Sequence, residues 1–208
     1  MIQESWLLYT NWLKAKLPKY SELLNSGASD GTIEKLESYL QLKLPEDFKT
    51  LYRLNDGDKS NITPDTFVGT FFGFEFFPID RIISIHEEWK QNDNDDYDGT
   101  SFPEKHVKIN YTNPNWIPIF GDSGGNYIGL DLDPDSEGSI GQIINFGRDE
   151  DNKFVAGKSL NNFLEFLSAK VQSGECDEAI VEEDDGGFSY GLTPQSHLID
   201  DLKGIFGS

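Results

Sequence analysis

From Ser5 to Leu17 the apolar residues Trp6, Tyr9, Leu13 and Leu17 recur at helical spacing with Trp12 beside them, and Pro18 closes the pattern. After the polar break Asn25-Ser26-Gly27-Ala28-Ser29, a second stripe is formed by Ile33, Leu36 and Leu40, with Glu34, Lys35 and Glu37 turned away. A third helix is predicted at once. Pro45 suits its first turn, Glu46 and Asp47 favour the positive end of the helix dipole, Phe48, Leu51 and Tyr52 make the buried face, and Gly57 is expected to end it. The three helices are expected to pack together.

The middle of the chain changes period. Residues 69–77 are aromatic-rich and bounded by polar turns, which favours a strand. Asp80 is the expected N-cap of a helix running to Trp89, with Ile82, Ile83, His86 and Trp89 on neighbouring positions. Residues 91–99 are too polar and self-repelling to be anything but an exposed loop. Three more strands are predicted at 116–120, 126–132 and 141–146. In the second, Ile128, Leu130 and Leu132 alternate with Tyr127, Gly129 and Asp131, the pattern of a sheet with two unlike faces, and Gly124-Gly125 provides the turn before it.

A short strand at 154–156 leads to a helix capped by Ser159, with Leu160, Phe163, Leu164, Leu167 and Val171 inward. Residues 1–171 therefore read as one domain. In residues 172–208, an acidic stretch without Lys or Arg up to Gly187 reads as a linker or solvated arm. A final amphipathic helix after Thr193-Pro194 then carries Leu198, Ile199, Leu202, Ile205 and Phe206. That stripe must dock, either on its own domain or on a partner.

Charge narrows the function. The 208 residues hold 37 acidic against 17 basic side chains, a formal charge of −20, with no Lys/Arg cluster to track phosphates, so nucleic acid and anionic membrane are excluded as partners. With 15 Phe the chain does not have the composition of a disordered acidic polymer. Cys176 stands alone, which excludes an internal disulfide and a Cys-based zinc site. The first residues lack a signal-peptide pattern and no stretch approaches the roughly 20 apolar residues of a span, so the expectation is a cytoplasmic protein.

Gly121-Asp122-Ser123-Gly124-Gly125 copies the nucleophile string of chymotrypsin-like proteases. However, neither His86 nor His106 sits in a base motif, Asn126 follows, and helices dominate the first half; the bland reading is a Gly-rich hairpin turn. Two acidic segments, beginning at Asn94 and Asp133, imitate calcium loops. Their twelfth positions hold Lys105 and Ile144 where a bidentate Glu belongs. No phosphate-cradling loop and no His pair at metal spacing occur, so no cofactor, metal or catalytic residue is assigned, and paired carboxylates are unavoidable at this charge.

The ordered set Leu44-Pro45-x-Asp47-Phe48-Lys49-x-Leu51-Tyr52, Asn55-Asp56-Gly57, Gly69-x-Phe71-Phe72-Gly73, Trp116-Ile117-Pro118-Ile119, Asp122-x-Gly124-Gly125-Asn126-Tyr127-x-Gly129-Leu130-Asp131-Leu132-Asp133 and Gly141-Gln142 resembles the SUKH superfamily. That group includes the fungal Smi/Knr cell-wall assembly regulator and bacterial immunity proteins of polymorphic toxin systems. The resemblance spans Ser5 to Leu167. It implies an α+β fold, a largely antiparallel twisted sheet flanked by helices in a single SUKH-like domain with a C-terminal extension, and a binding role without catalysis.

The first functional expectation is an immunity protein that captures a basic toxin electrostatically. The alternative is a regulatory scaffold in cell-wall or stress signalling, and a calcium or small-ligand module ranks third. The expected partner surface is Trp89, Asp93, Asp95, Asp96, Tyr97 and Asp98 with Asp149, Glu150 and Asp151, where aromatic anchors sit beside steering acids. Asp56, Asp122, Asn126, Asp131 and Asp133 read either as turn formers or as a ligand site.

Overall fold

The first apolar stripe becomes helix α1 (Ile2–Lys16) in a computed structural model that describes residues 1–59, 69–92, 97–184 and 186–207. A short turn of helix, α2 (Pro18–Ser21), follows Leu17. Helix α3 (Asp30–Leu40) is capped by the Ser29 side chain, which accepts from the Thr32 amide at 3.1 Å. Helix α4 (Glu46–Leu54) starts behind Pro45 but stops before Gly57. Gly57 has a different duty: at φ +65° it lies against the Phe77–Pro78 backbone, and a Cβ would come within 2.2 Å of the Pro78 nitrogen.

The aromatic run 69–77 is a strand only at its end, β1 (Glu75–Phe76). Phe71 and Phe74 exchange both backbone hydrogen bonds, at 3.0 and 2.9 Å, around Phe72 (φ +49°) and Gly73 (φ +85°). Two consecutive positive φ values make a tight two-residue hairpin, so the run folds back on itself. Burial compensates the strain at Phe72, whose ring packs on Tyr9 and Trp12. Helix α5 (Ile79–Trp89) begins behind Pro78, and Asp80, the expected cap, instead pairs with Lys35. The side chain that accepts from the first α5 amide, that of Ile79, is Asp56, at 2.9 Å.

The remaining strands are β2 (Thr100–Phe102), β3 (Trp116–Gly121), β4 (Asn126–Asp131), β5 (Gln142–Gly147) and β6 (Asn152–Gly157). They form a six-stranded sheet in the order β1-β3-β4-β5-β6-β2. Every pairing is antiparallel except β2 against β6, so the fold is α+β with a largely antiparallel sheet flanked by helices. Helix α6 (Leu160–Ser173), capped by Ser159 as expected, packs along α1.

The expectation of two unlike sheet faces needs refinement, because both faces bury apolar groups. Ile117, Ile128, Leu130 and Ile143 join Trp6, Tyr9, Phe48, Phe71, Phe76 and Phe163 in the main core. Trp116, Ile144 and Phe146 face the other way into a smaller cluster with Val107, flanked by Trp89, Tyr127 and Val155.

Behind α6 a 3₁₀ turn (Glu175–Asp177) places Cys176 and Ala179 at 0% exposure, so part of the expected linker is packed against the core. A small hairpin, β7 (Val181–Glu182) and β8 (Phe188–Ser189), leads to helix α7 (Leu198–Phe206), which docks on this chain and lies against β6. Trp12 donates to Asp177 at 2.8 Å, Tyr190 donates to the Gly69 carbonyl, and Phe206 meets Phe166.

Candidate functional site

The two segments expected to form a partner surface meet in space. The Tyr97 hydroxyl is shared between the carbonyls of Glu150 (3.2 Å) and Asp151 (3.1 Å) and accepts from Lys153 Nζ at 2.8 Å. Lys153 is 1% exposed, donates also to the Glu150 carbonyl, and lies over the rings of Tyr97 and Trp116. Burial pulls its pKa down to about 8, against the pull of Asp151 and Glu150. Asp93, Asp95 and Asp96 lie outside the described residues.

Partly exposed rings run from this point across the surface. Tyr97 meets Tyr111 at 5.6 Å, Tyr111 meets Trp89 at 5.2 Å, and Trp89 meets Tyr127 at 5.9 Å. Exposed acids accompany the stripe: Glu87 and Glu88 on α5, Asp98 beside Tyr97, and Asp149 and Asp151 in the β5–β6 turn. Glu150 is partly turned in, accepting from Asn145 at 2.5 Å, and burial raises its pKa. Tyr111 carried no periodic signal in the sequence, and only the tertiary contact reveals it as the bridge between Trp89 and Tyr97.

Tyr127 also opens onto a cleft of about 1010 Å³, since its ring meets Phe77 at 6.0 Å. The cleft is walled by Phe72, Phe74, Phe77 and Ile85 and by the β3–β4 hairpin at Gly121, Asp122, Ser123 and Gly125. The C-terminal segment closes it with Ser189, Tyr190, Ser196 and His197. Glu75 and Arg81 face the same space.

The hairpin is held by its own acid. Asp122 accepts from the amides of Gly124 (2.8 Å) and Asn126 (2.9 Å), while Asn126 Oδ1 accepts from the Asp149 amide at 3.0 Å. His197, 75 residues away, reaches Asp122 Oδ2 at 3.0 Å. Burial alone would raise the Asp122 pKa, but the bonds from His197 and Asn126 outweigh it and hold the carboxyl at about 2. The histidine that reaches this string is thus bonded to Asp122, and Ser123, exposed beside it, has no hydrogen-bonded base among the described residues. His86 is occupied too, with Tyr39 Oη at 2.9 Å and the Pro114 carbonyl at 2.6 Å.

The other motif acids bond locally. Asp131 accepts from the Asp133 amide (3.0 Å) and Gln142 (2.8 Å), and Asp133 accepts from Lys108 (2.6 Å) and Asn113 (3.0 Å). Among the described residues no three or more His, Cys, Asp or Glu side chains are grouped to hold a metal ion, and no helix is long and apolar enough to cross a membrane.

His197 yields a pH prediction. Its bond to Asp122 raises its pKa above 6.5 against the effect of burial, with Asp200 and Glu150 adding to the rise. The stabilisation is complete below 6.5 and is lost as pH rises through the folded-state value. An NMR titration should place the His197 midpoint above 6.5, and Asp122→Asn should lower it; a midpoint at or below 6.5 in the unsubstituted chain would contradict the pairing.

The model of the SMI1/KNR4 family (SUKH-1) matches residues 27–166. The chain is 30% identical, in an alignment that covers 88% of its length, to the cell wall biosynthesis/cell cycle regulator smi1 of Schizosaccharomyces pombe, covering 38% of that protein. It is 25% identical to the cell wall assembly regulator SMI1 of Saccharomyces cerevisiae, over 89% of this chain and 43% of that one. Identity to the glucan synthesis regulatory protein of Neurospora crassa is 26%, over 88% of this chain and 40% of that one. The chain thus spans about two fifths of the length of these curated relatives.

Proposed function

Because this chain belongs to the SMI1/KNR4 family (SUKH-1), we propose that it is a non-catalytic, cytoplasmic protein-binding module of a regulator of cell-wall assembly. The names of the matched fungal relatives favour this reading over toxin neutralisation. The observation that carries the binding role is the stripe Tyr97–Tyr111–Trp89–Tyr127. Aromatic rings left partly exposed and rimmed by acids suit a partner that brings Lys or Arg: the rings anchor apolar stems and cations, and the −20 charge speeds encounter.

Asp98 and Asp151 are exposed; the Asp98 carboxylate bonds to nothing among the described residues and that of Asp151 meets the Tyr97 hydroxyl, from which an asparagine can still accept, so neutralising them costs the fold little. A Tyr111→Ala, Asp98→Asn, Asp151→Asn variant is expected to keep its melting temperature within a few degrees and to lose protein partners from a cell extract by about tenfold. Unchanged retention of every partner would remove this face as the interface. Disrupting the gene should alter wall glucan content. An unaltered wall would sink the regulatory reading, and an adjoining toxin gene would restore the immunity reading.

A further inference from the structure

We infer that the stripe Tyr97–Tyr111–Trp89–Tyr127 takes a proline-rich segment of its partner in the polyproline II conformation, with a Lys or Arg of that segment at the Tyr97 end. The inference rests on the protein-binding reading and names the form the partner takes at that face.

Ring geometry comes first. All four rings are partly exposed, successive ones stand 5.6, 5.2 and 5.9 Å apart, and they tilt against each other by 59°, 43° and 77°. Rings turned this way make notches between ridges, whereas a base or a sugar face stacks best on a flat platform. A notch between aromatic ridges fits the puckered edge of a pyrrolidine ring. The three steps of the row span about five residues of a polyproline II helix, which rises about 3.1 Å per residue.

The free polar groups on the row point the same way. The hydroxyls of Tyr111 and Tyr127 reach solvent and make no hydrogen bond among the described residues, while that of Tyr97 is taken by Lys153 and the carbonyls of Glu150 and Asp151. A polyproline II helix has no internal hydrogen bonds, so its carbonyls lie open to such donors, and proline brings no N–H that would need an acceptor among the rings. An added β-strand would need a free sheet edge, and β4, which carries Tyr127, is paired on both sides with β3 and β5. The polyproline II helix is also ordered before it binds, which suits a face that offers few hydrogen bonds.

Charge orients the segment. At the Tyr97 end Asp98, Glu150 and Asp151 outnumber one cation, the buried Lys153. At the other end Arg81 and Arg148 lie within electrostatic reach of the Tyr127 hydroxyl together with Asp122 and Glu88, so the two signs offset there. The unbalanced negative end is therefore the one at Tyr97, and a Lys or Arg flanking the prolines seats beside it.

The test titrates three peptides into the isotopically labelled chain: acetyl-hexaproline-Arg-Arg-amide, its hexa-alanine counterpart and its Glu-Glu counterpart. Saturable NMR shifts of the Trp89 indole N–H and of the Tyr97, Tyr111 and Tyr127 amides are expected with the first, and binding about tenfold weaker with each of the others. Tyr111→Phe, which removes an unbonded hydroxyl and keeps the ring, should weaken the first peptide about fivefold, as loss of a hydrogen bond does. Asp98→Asn should weaken it by about threefold and leave a hexaproline peptide without charged ends unaffected. Absence of saturable shifts on these residues, equal binding of the alanine or the glutamate peptide, or full affinity in Tyr111→Phe would overturn the inference. If the Tyr111→Ala, Asp98→Asn, Asp151→Asn variant nonetheless lost its protein partners, the binding role of the stripe would stand and only this form of partner would fall.

Discussion

Deletion of residues 193–208 is expected to lower the melting temperature by on the order of 10–20 °C. Leu198, Ile199 and Leu202 of α7 are each no more than 1% exposed and belong to the same core cluster as Trp6, Phe71 and Phe163. Burying each such side chain contributes about 1.5–3 kcal/mol by area, an upper bound given that unfolded chains are themselves partly compact. A loss of about 5 kcal/mol then follows, and at roughly 2–4 °C per kcal/mol for a chain of this size the shift is large. Further contacts go with the helix: Phe206 on Phe166, His197 on Asp122, and the Thr193 hydroxyl on Asp201 at 2.6 Å. Calorimetry of the truncated chain decides between two proposals. A melting temperature within 3 °C of the full chain, to take a rough threshold, would make α7 a detachable docking element; the expected fall makes residues 193–208 a structural part of the domain.

The second large effect belongs to Asp58. This carboxylate is 0% exposed and joins the start of the aromatic hairpin to β1, accepting from the amides of Thr70 (3.0 Å) and Phe76 (3.1 Å) and from the Thr70 hydroxyl. Burial pushes its pKa from 3.8 to about 7, despite those three bonds. Because the folded state holds this proton more tightly than the unfolded state, stability is greatest below pH 4 from this group and falls as pH rises to about 7, by about 4 kcal/mol. Asp131, which burial pushes to about 6, adds to the slope in the same direction. Denaturant unfolding at steps between pH 4 and pH 7.5 should show this decline, and Asp58→Asn, which keeps an acceptor for the two amides, should remove more than half of it. A flat or rising profile in the unsubstituted chain would contradict the burial of a carboxylate there. Asp58→Ala leaves two buried N–H groups without an acceptor, at roughly 1–3 kcal/mol each, and should destabilise the chain by about 4 kcal/mol at pH 5.

Neither effect was visible in the sequence, and the reason is the same for both. Asp58 stands in a polar stretch after Gly57 and looks like one more loop acid; it is buried because Thr70 and Phe76, 12 and 18 residues further on, fold over it. The α7 stripe was plain as a stripe, yet its docking surface is assembled from distant elements. His197 was equally hidden, since the residue before an apolar helical run signals a cap and carries no hint of a hairpin 75 residues earlier.

The aromatic run shows where local reasoning goes astray. Phe71, Phe72, Phe74, Phe76 and Phe77 all favour strands, and local propensity predicts one. The pull of the core on Phe72 instead turns the backbone to positive φ and closes a hairpin, because burying that ring against Tyr9 and Trp12 outweighs the strain. The acidic stripe is half legible: chemistry groups Trp89, Tyr97 and residues 149–151, while the contact of Tyr97 with Glu150 and Asp151 comes from β2 lying parallel to β6, a pairing no periodicity announces.

The amino-acid sequence by itself determined the helices α1, α3, α4 and α6, the strands β3 to β5, the acidity and the family, because periodicity, caps and motif order are local properties that each segment carries with it. Only the tertiary structure decided which acids are buried, which rings stay partly exposed and where α7 rests. Those outcomes depend on which surfaces far apart in the chain come into contact, and desolvation acts on a group only once its neighbours have excluded water.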